Sequence, residues 1–134
     1  MSAVVIDSNI LLDLMVPESQ WNPWSAAALH DAAEYARLVI NPVVYAEISI
    51  GYDNADLLDA AIPSLIEREA IPYDAAFLAG KAYLEYRRRG GLRRSPLPDF
   101  FIGAHAAVRG YELLTRDPVR YRTYFPRLKL IAPN

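Results

Sequence analysis

The chain has 134 residues, 53% hydrophobic and 22% charged, a balance that fits one compact domain spanning 1–134 with its own core. Its apolar runs fall far short of the roughly 20 residues of a membrane helix, and its start lacks the basic region and long apolar core of a signal peptide. Cysteine is absent, which excludes disulfides, thiolate nucleophiles and cysteine-built zinc sites, so a cytoplasmic protein with no membrane partner is expected.

The net charge of −2 conceals a split. Residues 1–80 carry two basic side chains against twelve acids, and residues 81–134 carry twelve against four. Such asymmetry fits an anionic partner met by one part of the chain, or simply solvated helix faces.

In chain order, residues 3–7 form an apolar run ending in a carboxylate, the pattern of a strand buried on both faces. Residues 38–41 and 112–115 repeat it, 128–131 make a plausible final strand, and 70–71 a weak one. Alanine-rich residues 24–36, 55–69 and 74–89 read as helices. Pro42 after Asn41 has the form of a first-turn proline after an N-cap, opening a helix to about Gly51. Pro98 opens another, which Gly110 stops. Residues 87–98, with two glycines and two prolines, form a basic loop between helices. Strands alternating with helices predict an α/β/α sandwich on a mainly parallel sheet.

Asp7 ends the first strand, and Glu47 lies about one and a half turns into the helix after the second. Asp99 sits in the first turn of the helix opened by Pro98, and Asp117 follows the strand that ends near Thr115. In an open parallel sheet ligands bind at the carboxyl ends of the strands, so these four acids are expected at one edge. Two carboxylates ~5 Å apart repel by roughly 3 kcal/mol at an effective dielectric of 20. A cluster of four therefore calls for protons or a cation, and oxygen-only ligands suit Mg²⁺ or Mn²⁺. Each acid alone has an ordinary structural reading as a cap, turn or helix-start charge; their joint placement favours a site.

The run from Val5 to Asp13 (VIDSNILLD) resembles the opening motif of PIN domains, and 42–47 (PVVYAE) is similar to their second. Residues 96–106 (PLPDFFIGAHA) and 113–117 (LLTRD) resemble the third and fourth, in the right order across the chain. Within that family the resemblance is nearest to VapC-type toxins. It implies an α/β/α fold and Mg²⁺- or Mn²⁺-dependent endoribonuclease activity, with Asp7, Glu47, Asp99 and Asp117 as the catalytic metal site. It also implies an RNA substrate, a homodimer and a cognate antitoxin protein. Ser8 and Thr115 match hydroxyl positions of the motifs and would orient carboxylates or waters. Asn9 would cap the first helix, the favoured role, or support the site beside Ser8 and Thr115. Relatives often carry a further acid after the fourth-motif aspartate; here Pro118, Val119 and Arg120 follow, leaving the second metal of a two-metal arrangement to RNA phosphate oxygens.

Arg87, Arg88, Arg89, Arg93 and Arg94 form the densest basic cluster, suited to an RNA backbone. Arg116, beside Asp117, would contact either the scissile phosphate or a neighbouring acid. His105 reads as structural and Asp13 as a surface charge. Trp21 and Trp24 follow a helix end and cover either the core or an antitoxin groove. A phosphatase with a paired-aspartate nucleophile is disfavoured because Asn9 stands where the second aspartate belongs. An RNA-processing PIN nuclease without an antitoxin, and a non-catalytic PIN-like module, remain alternatives.

Overall fold

The computed structural model describes residues 2–94 and 96–134; Met1, and Ser95 within the expected basic loop, lie outside them. Five parallel strands form one sheet in the order β3-β2-β1-β4-β5. They are β1 (Ala3–Ile6), β2 (Arg37–Ile40), β3 (Ile66–Arg68), β4 (Glu112–Leu114) and β5 (Leu130–Ile131). Seven helices flank them among the described residues, giving the expected α/β/α sandwich. These are α1 (Ser8–Met15), α2 (Asn22–Ala33), α3 (Pro42–Ser49), α4 (Ala55–Ala61), α5 (Tyr73–Arg88), α6 (Pro98–Arg109) and α7 (Val119–Tyr124).

The central strand explains the sheet. All four residues of β1 are buried, because helices cover both faces and no side can be polar. Val5 pairs with Val39 on one side and Leu113 on the other. From β1 the chain builds outward through β2 to β3, then returns to place β4 against β1's free side. The boundary between β1 and β4 is therefore the topological switch point, where a crevice opens at the strands' carboxyl ends.

Local chemistry sets the helix starts and stops. Asn41 caps α3, its Oδ1 accepting from the Val43 and Val44 N–H groups at 3.0 Å each, with Pro42 in the first turn. Gly110 ends α6 at φ 70°, a left-handed conformation that glycine adopts without cost. The expected helix over 55–69 is corrected: α4 stops at Ala61, and β3 occupies Ile66–Arg68, displacing the weak strand expected at 70–71. Pro63 is the cause, since proline disfavours helical geometry in the residue before it and Ile62 is extended.

The α6–α7 contact depends on Gly103. A Cβ built there would lie 2.7 Å from the Phe125 ring and 3.0 Å from that of Tyr121, both buried. Gly103→Ala is expected to destabilise the protein by about 1–3 kcal/mol through overpacking. A denaturant midpoint equal to wild type would show that the rings move aside freely.

Candidate active site

At the switch point Asp7 is 3% exposed and receives a ring of donors. Its Oδ1 accepts from the Ser8 N–H at 2.8 Å. Its Oδ2 accepts from Thr115 Oγ1 at 2.8 Å and from the Tyr121 hydroxyl at 2.9 Å. The Asp7 N–H itself donates to the Leu114 carbonyl at 2.9 Å, so the strand pairing continues into the site. Ser8, one residue further, donates its hydroxyl to Glu47 Oε1 at 2.9 Å and so ties α1 to α3.

Among the described residues, neither Asp7 nor Glu47 has an ion-pair partner. Burial pushes the Asp7 carboxyl above the usual range; the Thr115 hydrogen bond opposes this and the negative charge of Asp99 adds to it. Burial likewise raises Glu47, with the Ser8 hydrogen bond opposing and the charges of Asp7 and Asp99 contributing. The Tyr121 phenol is pushed well above its ordinary value by burial and then by Asp7, so it stays a proton donor. The nearby guanidiniums go elsewhere. Arg120 pairs with Asp99 at 3.1 Å, and Arg116 pairs with Asp13 at 2.8 Å.

Asp7, Glu47 and Asp99 are thus within each other's electrostatic reach, whereas Asp117 stands at the rim, its side chain 73% exposed. The Asp117 carboxylate faces Asn9 Nδ2 at 3.4 Å and Arg116 at 3.6 Å. Among the described residues, no three Asp, Glu or His side chains converge closely enough to hold a metal ion as they stand. The donor chemistry still fits a hard cation, because Mg²⁺ commonly binds one or two carboxylates and completes its shell with water and phosphate oxygens.

Two expectations are corrected. Asn9 does not cap α1, since Asp7 holds the N-cap position. Asn9 lies in the first turn, its Nδ2 3.3 Å from Asp7 Oδ2 and 3.2 Å from Thr115 Oγ1, and its Oδ1 accepts from the Arg116 N–H. Asp13 is not a surface charge: it is 3% exposed and grips Arg116 with both oxygens, at 2.8 and 3.0 Å. Ser25 Oγ also donates to it at 2.6 Å. Burial works against the Asp13 carboxylate, but Arg116, Ser25 and Ser19 together hold it below the usual range. Arg116 thus pairs with Asp13 and lies near Asp117, and its guanidinium also lies over the Trp21 ring at 5.7 Å. Trp21 stands at the start of α2 and meets Trp24 edge to face, and Trp24 packs on the core.

Sequence reasoning passed over Tyr121 as a donor to Asp7. Its one signal is a position four residues after Asp117. Arg87 and Arg88 end α5 and Arg89 is its C-cap, with Arg93 and Arg94 in the loop toward α6, all exposed. Arg88 and Arg89 flank Glu85, and Arg87 donates to the Arg93 carbonyl at 2.9 Å. His105 is fully buried, and His30 pairs with Glu34 on the surface of α2.

The family profile described as PIN domain matches residues 4–126. Solved structures of similar fold include VapBC2 from Rickettsia felis bound to a DNA fragment from its promoter, at 17% identity, 98% of this chain, 99% of that chain and TM-score 0.76. A toxin–antitoxin complex from Klebsiella pneumoniae matches at 24% identity, 98% of both chains and TM-score 0.69. VapC20 from Mycobacterium tuberculosis, described as a Sarcin-Ricin loop cleaving toxin, matches at 13% identity, 90% of this chain, 94% of that chain and TM-score 0.61. Comparison with curated proteins gave no match. At these identities the structural likeness is one of fold.

The two buried acids Asp7 and Asp13 give opposite pH signatures in metal-free protein. The folded pKa of Asp7 is raised, so its favourable contribution holds below about pH 4 and is lost as pH rises through the folded value. That of Asp13 is lowered, so its contribution holds above about pH 4 and is lost as pH falls through the folded value. Urea unfolding between acid and neutral pH should show Asp7→Asn as stable as wild type or more so at neutral pH. Asp13→Asn should be weaker there by about 1–3 kcal/mol and flatter in acid. Equal losses at neutral pH from both variants would contradict this electrostatic description.

Proposed function

The chain belongs to the PIN-domain family, and we propose that it is a Mg²⁺- or Mn²⁺-dependent endoribonuclease serving as the toxin of a toxin–antitoxin pair. The observation that carries the nuclease reading is the oxygen-only cluster at the switch point, where buried Asp7 and half-buried Glu47 meet across Ser8 and, among the described residues, have no basic ion-pair partner. The toxin reading rests on the solved structures of similar fold, which include toxin–antitoxin complexes and a toxin that cleaves the Sarcin-Ricin loop. An antitoxin protein, an RNA substrate, a second copy of the chain and a cytoplasmic setting belong to the same proposal.

Asp7, Glu47 and Asp99 would hold the ion, and Asp117 would join from the rim by side-chain rotation. When bound, the cation supplies charge neutralisation and Lewis-acid activation of water for attack on a phosphodiester. The chain's own groups prepare that place. Thr115 and Tyr121 fix Asp7 Oδ2 by donating protons they keep, and Ser8 aims Glu47. Asn9 bridges Asp7 toward Asp117. Arg120 holds Asp99 until the site fills. Arg87, Arg88, Arg89, Arg93 and Arg94 would grip the RNA backbone beside the helix that carries Asp99.

Purified chain free of antitoxin should cut RNA with Mg²⁺ or Mn²⁺ and stop on adding EDTA. Products should end in 5′-phosphate and 3′-hydroxyl, because neither histidine is placed to activate a ribose 2′-hydroxyl. Cleavage that persists in EDTA, or 2′,3′-cyclic ends, would count against this chemistry. Asp7→Asn should relieve growth arrest on expression, and co-expression of the product of a short adjacent upstream frame should relieve it in the wild type.

The arginine grip is measured separately. In an Asp7→Asn background, replacing Arg88 and Arg93 by alanine should lower the dependence of log RNA affinity on log salt by about 1.4, at about 0.7 per phosphate contact. An unchanged slope would assign this loop to solvent or to a protein partner.

A further inference from the structure

His105, in the middle of α6, is fully buried and unused by the chemistry above. Its Nδ1 lies 3.0 Å from Asn41 Nδ2 and its Nε2 lies 2.7 Å from Glu69 Oε2. The neighbours determine its tautomer. Asn41 Oδ1 is occupied by the N–H groups of Val43 and Val44, so the amide must turn its NH₂ toward the ring. Nδ1 therefore accepts, and the ring proton sits on Nε2, donated to Glu69. Glu69 also accepts from the Tyr111 hydroxyl at 2.9 Å and lies 3.7 Å from Arg109. With both nitrogens engaged and no exposed surface, His105 has neither a lone pair nor a proton to offer a substrate.

Its effect is mechanical. Asn41 caps α3 six residues before Glu47, and His105 lies on α6 six residues after Asp99. The two helices pack on each other, and the Asn41–His105 bond joins the start of one to the middle of the other. We propose that His105, acting through Asn41, is a positioning residue that sets the placement of Glu47 relative to Asp99. Ser8 holds the Glu47 carboxylate by one hydrogen bond at the end of a flexible side chain, which does not fix the helix beneath it. A cap anchored to the neighbouring helix does fix it, because an N-cap sets where the first turn begins and a buried hydrogen bond is strong in its low-dielectric setting. The inference rests on the metal-site reading, in which small shifts matter because Mg²⁺ demands near-ideal octahedral geometry at roughly 2.0–2.1 Å.

The test is Mn²⁺ affinity of the full chain, measured by calorimetry at a temperature where circular dichroism shows every variant folded. Asn41→Ser keeps a capping oxygen and removes the amide facing the ring. His105→Leu removes the acceptor, and His105→Asn offers an amide oxygen in place of Nδ1. Asn41→Ser and His105→Leu should each weaken Mn²⁺ binding about tenfold, the lower end of the range for groups that support metal ligands. Their combination should lose no more than either alone, and His105→Asn should stay within about twofold of wild type, since it restores the acceptor. Wild-type affinity in folded Asn41→Ser, additive losses in the double variant, or equal losses in His105→Asn and His105→Leu would each overturn the proposal. If His105→Leu does not fold, Asn41→Ser against His105→Asn decides the matter by the same expectation. Asp7→Asn serves as the control. If it binds Mn²⁺ as wild type does, or wild type does not bind, the metal reading fails and takes this inference with it. If it alone loses binding, the positioning role fails and the metal site stands.

Discussion

The Asp7 carboxylate, sealed at the carboxyl end of the central strand, is the constraint around which the rest of the structure is arranged. A buried anion must be neutralised, paired or surrounded by donors. Here it is surrounded: a backbone N–H from α1, a hydroxyl beyond β4 and a phenol from α7 converge on its two oxygens. Hydrogen bonds of this kind satisfy the geometry of a carboxylate without removing its charge. The charge then acts on Glu47, which sits nearby with its own burial cost and a single hydroxyl for support. Two carboxylates raised by burial and by each other's charge in one crevice are the feature on which the proposed cation site rests.

The surrounding polar groups fall into two sets on either side of that crevice. On the β4 side, Asp13 holds Arg116, and the residue after Arg116 is Asp117. On the β2 side, Glu69 holds His105, and His105 meets the cap of the helix that carries Glu47. In both, a carboxylate outside the proposed ligand set engages a nitrogen base that leads back toward a ligand. Two such fully satisfied networks confer rigidity where a mobile acidic cluster would otherwise spread apart under its own repulsion.

How much of this was legible in the sequence depended on the range of the interaction. The strands at 3–6 and 37–40, the Asn41–Pro42 helix start and the Gly110 stop were legible because they are set by neighbouring residues. Parallel-sheet topology carries strand ends to a common side, which is why Asp7, Glu47 and Asp99 lie within electrostatic reach of one another while Asp117 stands at the rim. The failures were long-range or competitive. Helix-forming residues after Ala55 masked a proline that ends the helix early and an edge strand that only its neighbour stabilises. Asp13 read as solvent-facing because its partner Arg116 lies 103 positions away. Asn9 read as a cap because its bond to Thr115 spans 106 positions. Nothing local to Tyr121 marks it, because the carboxylate it donates to lies 114 positions earlier.

Those sequence separations carry a consequence for how the molecule comes into being. β1 precedes the other strands, yet one of its two edges finds its partner only when β4 arrives, Val5 pairing with Leu113. Thr115 and Tyr121, which complete the Asp7 environment, come later still. Domains begin to fold during synthesis, and pairings between distant segments form late. A growing chain that stops short of about residue 121 can therefore assemble the β1–β2–β3 half while Asp7 remains at an open edge in water. The crevice is closed only when β4, Thr115 and Tyr121 have all joined β1, so it forms as one of the last events of folding rather than as part of the early half.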